Sequence, residues 1–449
     1  MQVFNFADDL LEIVLTTSIR GFKRLHKSPI ADYSVETISE DRVQVTFQNE
    51  DGKTYACIYR RMDKQDVYDL IRQGKPLDLR GCYIKDFNIK DIEYYQDYIL
   101  EKFDARYSFW DGRVSFEDAT FGDGYLSFEG TTFGDGDVSF EFATFGDGDV
   151  SFNFSTFGDG EVSFEFATFG EGDVRFWDTT FGEGDVRFGG TTFGDGEVSF
   201  WRATFGEGDV SFNFSTFGDG DVLFDMVSYG ERVHLVFEGI KFNEELELDV
   251  EGLHKLTLYR CILKGVTRIN GYPEQLSLLD TDILGRLRWT WDKQIKQSIN
   301  TCRLSKAEKA SQFQLLKENY HTIGEYGAED KAYKAYMDCY TRKWYRIPLK
   351  IFGLIGGYGT KPLSIIPAML GTWVGFAIAY FFALPDQFHN GLLRFGDALY
   401  YSGITFLTIG YGEIHPLYDW ARFLSVGEGF IGLFLMSYLT VAVVRKLLR

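Results

Sequence analysis

The sequence predicts a multidomain chain: a small α+β N-terminal cap, a β-solenoid, a helical connector, and an all-α C-terminal domain with two transmembrane spans. Three observations carry this prediction. A twelve-residue motif, Phe-Gly-Asp/Glu-Gly-x-Val-Ser-Phe-x-x-small-Thr, recurs nine times with its first phenylalanine at 121, 133, 145, 157, 169, 181, 193, 205 and 217. Two long apolar runs, 362–384 and about 423–444, stand near the C-terminus. Between them a shorter apolar run ends in Thr408-Ile409-Gly410-Tyr411-Gly412. The expected domains are residues 1–75, 76–300, 301–361 and 362–449.

A chain of 449 residues can hold two or three domains, and 45% hydrophobic with 17% aromatic content supplies both a core and membrane spans. The net charge of −20 is unevenly placed: residues 115–228 hold 24 acidic side chains against Arg175, Arg187 and Arg202, a net −21, leaving about +1 for the rest. The acidity therefore belongs to the repeat region. Cys57, Cys82, Cys261, Cys302 and Cys339 have neither paired nor metal-ligand spacing, which suits a reducing cytosol. No nucleophile–base pair, phosphate loop or zinc cluster is legible, so an enzyme is not expected.

The apolar run 10–15 is short and flanked by Asp8 and Asp9 rather than by basic residues, so no signal peptide is expected and the N-terminus should lie in the cytosol. Residues 1–75 read as an amphipathic helix, a hairpin pairing 42–47 with 53–59 about Asn49-Glu50-Asp51-Gly52, and a helix over 64–73. A cap over the next domain is the use this predicts.

One twelve-residue unit cannot bury its own apolar face, whereas stacked units share a core, so the fixed period predicts a solenoid. Within a unit, Val138 and Phe140 should point inward and Ser139 outward, with Ala143-Thr144-Phe145 repeating the alternation. Turns at Gly134-Asp135-Gly136 and Glu141-Phe142 would make each unit one flattened, two-sided coil, and nine coils a rod of roughly 40 Å. Degenerate coils should extend it on both sides, from Leu77-Asp78-Leu79-Arg80-Gly81 and through residues 233–289. The region is similar to pentapeptide-repeat and related bacterial β-solenoids.

In that reading Asp123, Asp135, Asp147, Asp159, Glu171, Glu183, Asp195, Glu207 and Asp219 stack along one corner. Asp137, Asp149, Glu161, Asp173, Asp185, Glu197, Asp209 and Asp221 run beside them. Like charges across neighbouring strands destabilise, so solvent, salt or bound cations must intervene. Two readings stay open. One is calcium held between rungs by carboxylates and turn carbonyls, and the other is a solvated acidic edge that keeps the rod soluble and unpaired.

Ser305-Lys306-Ala307-Glu308 is a capping-box pattern opening a helix to about Thr322. Gly324 and Gly327 break it, and a second helix is expected from Glu329 toward Tyr345, giving an antiparallel hairpin. Arg342, Lys343, Trp344, Tyr345, Arg346 and Lys350 then supply basic and aromatic anchors at a membrane surface. Both apolar runs are long enough to cross a bilayer. Basic residues precede the first, and Arg445, Lys446 and Arg449 follow the second, which places both termini in the cytosol of a cell-membrane protein and makes 385–394 an external turret.

The stretch 408–412 has the composition of an ion-binding backbone path. Gly410 and Gly412 reach positive φ without steric cost, so successive carbonyls can face one axis and replace an ion's hydration. The carbonyls of Thr408, Ile409, Gly410 and Tyr411 would form the sites, with the Thr408 hydroxyl as an inner ring. One chain supplies a quarter of such a cage, so four copies are implied. A second triplet, Gly357-Tyr358-Gly359, lacks a preceding half-membrane helix and reads as a membrane-surface turn.

Ala398-Leu399-Tyr400-Tyr401-Ser402, Thr405, and Thr408-Ile409-Gly410-Tyr411-Gly412-Glu413 resemble the pore of two-transmembrane potassium channels over residues 362–449. The resemblance implies a homotetrameric pore conducting K+, with Tyr400 and Tyr401 as an aromatic cuff around Tyr411 and Thr405 and Glu413 as filter support. It also places a gating hinge at Gly432. Leu407 stands where a second threonine is common, Ile404 where some members bury a glutamate, and Glu413 where aspartate is usual; the carbonyl-bearing residues are intact. Glu428, an acid inside the second span, is expected to bond behind the filter. With nothing after Arg449, cytosolic control is expected through the solenoid and connector, and the acidic mass would also raise local cation concentration. The expected partners are further copies of the chain, lipid, potassium ions and a cytosolic protein on the solenoid, not nucleic acid. The competing reading is a membrane-anchored acidic scaffold or nucleic-acid mimic with a poorly selective or silent pore.

Overall fold

The computed structural model describes residues 2–7, 30–49, 51–340, 347–383 and 394–448. Two compact units divide at Leu304/Ser305. The predicted helix near 10–15, most of the turret and the anchors 342–346 lie outside the described residues.

In the first unit, strand Arg42–Asn49 pairs antiparallel with Ile30–Ser39 on one side and Thr54–Arg61 on the other. The turn between the last two strands is closed by Gly52 N–H donating to Asn49 O at 2.8 Å. Alternation decides the face: Val43, Val45, Phe47, Tyr55, Cys57 and Tyr59 are buried, together with Phe4, Phe6 and Phe109. Helix α1, Lys64–Arg72, starts where the Asp63 side chain accepts the Gln65 N–H. Thr54–Arg61 then pairs parallel with Cys82–Lys85, so this α+β cap continues into the first solenoid sheet.

The solenoid corrects one sequence expectation. Val138 pairs with Val162 and Thr132 with Thr156, so the vertical neighbour lies 24 residues on, not twelve. Two repeats make one coil, and four strand files rather than two surround the core. Consequently the nine repeats fill about four and a half coils and roughly 20 Å, not 40 Å. The rod continues past the motif as expected, with a shorter step: Lys255 pairs with Gln275 and Val266 with Arg286, 20 residues apart.

Sequence identity at 24-residue spacing produces files of parallel rings. Phe116, Phe140, Phe164, Phe188 and Phe212 stack at 4.7–5.2 Å, and Phe128, Phe152, Phe176 and Phe200 at 4.8–5.0 Å. The two files meet edge to face, as Phe140 meets Phe152 at 5.6 Å and 80°. At the small-residue position a hydroxyl satisfies a buried carbonyl of the coil below, as Ser155 Oγ does for Phe128 O at 2.6 Å. Glycine is required where turns nest: a Cβ on Gly160 would lie 2.4 Å from Gly136 O. The other turn puts Phe142, Phe154, Phe166 and Phe214 at φ +56 to +59. That conformation costs about 1–2 kcal/mol per non-glycine residue, against about 3–6 kcal/mol from burying two phenylalanines per repeat. Burial wins. Helix α2, Lys293–Thr301, closes the far end through buried Ile295 and Ile299.

The second unit opens with α3, Lys306–Thr322. Its capping box is formed as predicted, with Glu308 N–H donating to Ser305 Oγ at 3.2 Å and Ser305 N–H to Glu308 Oε2 at 2.7 Å. It packs on α4, Tyr326–Tyr340, with His321 Nδ1 3.2 Å from Glu329 Oε2. Short α5, Ile347–Gly356, leads into the Gly357–Gly359 turn. Next come α6, Ile365–Ala383, α7, Phe395–Phe406, and α8, Asp419–Leu447. Segments Pro362–Phe382 and Asp419–Leu447 are apolar and long enough to cross a membrane.

Candidate functional site

The site is built on α7, a helix of twelve residues set between the two long ones. Arg394 N–H donates to Asp397 Oδ2 at 3.0 Å and starts it. At its other end Leu407 N–H still reaches Gly403 O, while Ile409 N–H turns back to Ile404 O at 2.8 Å. This closing bond needs a left-handed residue after the helix. Thr408 takes it at φ +57, and the left-handed positions then alternate through Gly410 at +59 and Gly412 at +89. A Cβ on either glycine would meet nothing within 4 Å, so conformation rather than crowding selects glycine there. Tyr411 is 65% exposed and Ile409 48% in the single chain.

Residues around this path divide by role. Tyr400 Oη donates to Glu413 Oε2 at 2.8 Å, tying α7 to the segment just beyond the glycines. Tyr401 turns inward: its hydroxyl is 2.7 Å from Ser425 Oγ and its ring stands edge-on to Tyr380 at 5.2 Å. Thr405 contributes its carbonyl, which accepts Thr408 N–H at 3.0 Å. Leu407, where a second threonine is common, is 48% exposed.

Glu428 is fully buried. Tyr380 Oη of α6 donates to its Oε2 at 2.6 Å, and Ser402 Oγ of α7 donates to Oε1. Three helices therefore meet at one carboxylate behind α7, as an intramembrane acid requires. Trp373 of α6 adds to the same junction, donating Nε1–H to Leu399 O at 2.9 Å and covering Gly403. Gly432 faces the end of α7, where a Cβ would fall 2.1 Å from Phe406 O. Close packing by itself accounts for glycine there. Sequence reasoning found Glu428 but missed Tyr380, Trp373 and Ser402 as its setting, although Ser402 was a polar residue in an apolar helix.

Residues 368–449 match the family described as "Ion channel". The C-terminal domain is a channel pore domain of the two-transmembrane type. This ion channel domain therefore belongs to a membrane protein, and it is joined to a β-solenoid. No curated protein and no solved structure matches the chain.

On the solenoid of this channel protein the acid ladder is not one continuous corner. The 24-residue coil puts Asp123, Asp147, Glu171, Asp195 and Asp219 on one side and Asp135, Asp159, Glu183 and Glu207 on the other. The second ladder splits likewise, into Asp137, Glu161, Asp185 and Asp209 and into Asp149, Asp173, Glu197 and Asp221. Many rungs are tied by the backbone: Asp137 Oδ1 accepts Glu161 N–H at 3.1 Å, Asp173 accepts Glu197 N–H at 2.8 Å, and Asp195 accepts Asp219 N–H at 2.9 Å. Arg187 bridges Glu161 and Asp185 at 2.6 and 3.2 Å, and Arg175 bridges Asp149 and Asp173. Elsewhere, burial first and the facing acid second push Asp135, Glu197 and Asp209 above the usual carboxylate range. Among the described residues no group of three His, Cys, Asp or Glu is arranged to hold a metal ion.

Proposed function

We propose that four copies of this chain assemble around an axis into a potassium-selective channel of the cell membrane, with both termini cytosolic. The observation that carries it is the alternating left-handed backbone at Thr408, Gly410 and Gly412, which supports turning the carbonyls of residues 408–411 toward a common axis. Its exposure in one chain agrees with a lining completed by other copies. Tyr400–Glu413 and the Glu428 junction serve as supports holding that path, and Tyr401 braces the back of α7. Gly432 allows α8 to bend. The solenoid acts on the pore from the cytosolic side, through gating or as a reservoir of cations drawn to its acid rungs. Purified protein in liposomes should pass potassium far faster than sodium, be blocked by barium, and lose flux on Gly410→Asp. A monomer, or equal sodium flux, would defeat this reading.

A further inference from the structure

The Gly357–Gly359 turn does more than surface the membrane domain. Gly357, Tyr358 and Gly359 have φ +58, +59 and +86, three left-handed residues in succession, one of them with a side chain that disfavours it. The turn is held by α8. Tyr438 Oη donates to Phe352 O and accepts Gly359 N–H, both at 2.8 Å, and a Cβ on Gly356 would lie 2.6 Å from that oxygen. Seven residues further along α8, Arg445 reaches three groups. Its Nη1 donates to Tyr358 O at 3.3 Å, its Nη2 is 3.7 Å from Asp330 Oδ1, and its guanidinium stands 4.5 Å over the Tyr333 ring. The ion pair is largely withdrawn from water, with side-chain exposures of 27% and 15%.

Asp330 and Tyr333 lie on α4, the connector helix that precedes the membrane domain, so these contacts join the connector to the last turns of α8 without passing through α6. We infer that this junction is a latch: the position of the α3–α4 hairpin sets whether the end of α8 is free to move, which makes the N-terminal region a regulator of the pore. The inference rests on the channel reading above. It adds the residues and the route by which regulation travels, two groups on one element biasing a second element through a strained turn.

The test uses full-length protein in liposomes with potassium-driven rubidium flux, comparing Arg445→Asp, Asp330→Arg and the exchanged pair. Each single reversal should change flux in the same direction by at least about fivefold, and the pair should return to within about twofold of wild type. Singles that leave flux unchanged, or a pair no nearer wild type than either single, would overturn the latch. A wild type without flux defeats the channel reading instead. For that case, and for variants that fold poorly, amide hydrogen exchange of residues 440–447 in detergent reads the latch directly. Asp330→Asn and Tyr438→Phe should each speed exchange there, and unchanged protection in both would overturn it.

Discussion

The Tyr380 hydroxyl stands 2.6 Å from the Glu428 carboxylate, 48 residues away in sequence, joining the two membrane helices behind α7. Removing the acid takes away the acceptor that two hydroxyls share in an apolar setting, although Ser402 keeps Trp373 O at 2.9 Å. Glu428→Ala should therefore lower stability of the detergent-solubilised protein by about 2–4 kcal/mol, whereas Tyr380→Phe, which leaves the Ser402 bond, should cost about 1 kcal/mol. Thermal unfolding of the membrane domain measures both, and equal losses would refute a shared junction.

Two phenylalanines two positions apart should differ sharply in what their loss costs. Phe140 is fully buried within a ring file, so Phe140→Ala should cost about 3–5 kcal/mol. Phe142 is 50% exposed at φ +56 and stacks only on Phe166 in its file, at 5.1 Å. Phe142→Gly trades about 1 kcal/mol of relieved backbone strain for a similar loss of ring contact, and should be within about 0.5 kcal/mol of neutral. Denaturant unfolding followed by far-ultraviolet dichroism gives both values.

Acid should act on the solenoid with two opposing signs. His234 is held down to about 4 from 6.5 by burial first and by Lys255 next, against the pull of Asp209 at 4.0 Å. The unfolded chain then takes the proton first, so this group removes about 1–2 kcal/mol, allowing for its partly exposed ring, as pH falls from 6.5 toward 4. Asp135, Glu197 and Asp209 are raised, so the folded chain takes their protons first and their contribution is lost as pH rises through the folded values. His234→Gln should remove the first effect, so that acidification below pH 6.5 lowers the melting temperature less than it does in wild type.

Salt and calcium separate two ways of relieving the acid rungs. Because backbone amides already occupy many carboxylates, screening should suffice: melting temperature rises with sodium chloride, and calcium at matched ionic strength adds nothing. A calcium-specific rise would favour bound cations over a solvated acidic edge.

Much of this architecture was legible in the residues themselves. The Ser305–Glu308 box placed α3, Gly52 placed the hairpin, and apolar length placed both spans, since each signal is local. The coil size was not legible. A perfect twelve-residue period writes the same residues on every face, so the sequence fits either one or two repeats per coil, and only the pairing of Val138 with Val162 decides. The partners of Glu428 were hidden for a related reason: Ser402 and Tyr380 come from helices 26 and 48 residues away, and no local pattern relates them.

The pairing of repeats into coils also fixes how the rod can change length. Insertion or loss of two repeats, one full circuit of 24 residues, would restore every file of rings and leave all later segments in their original orientation. Loss of a single repeat would keep the core intact yet swing everything beyond it by half a revolution, delivering whatever follows to the wrong side.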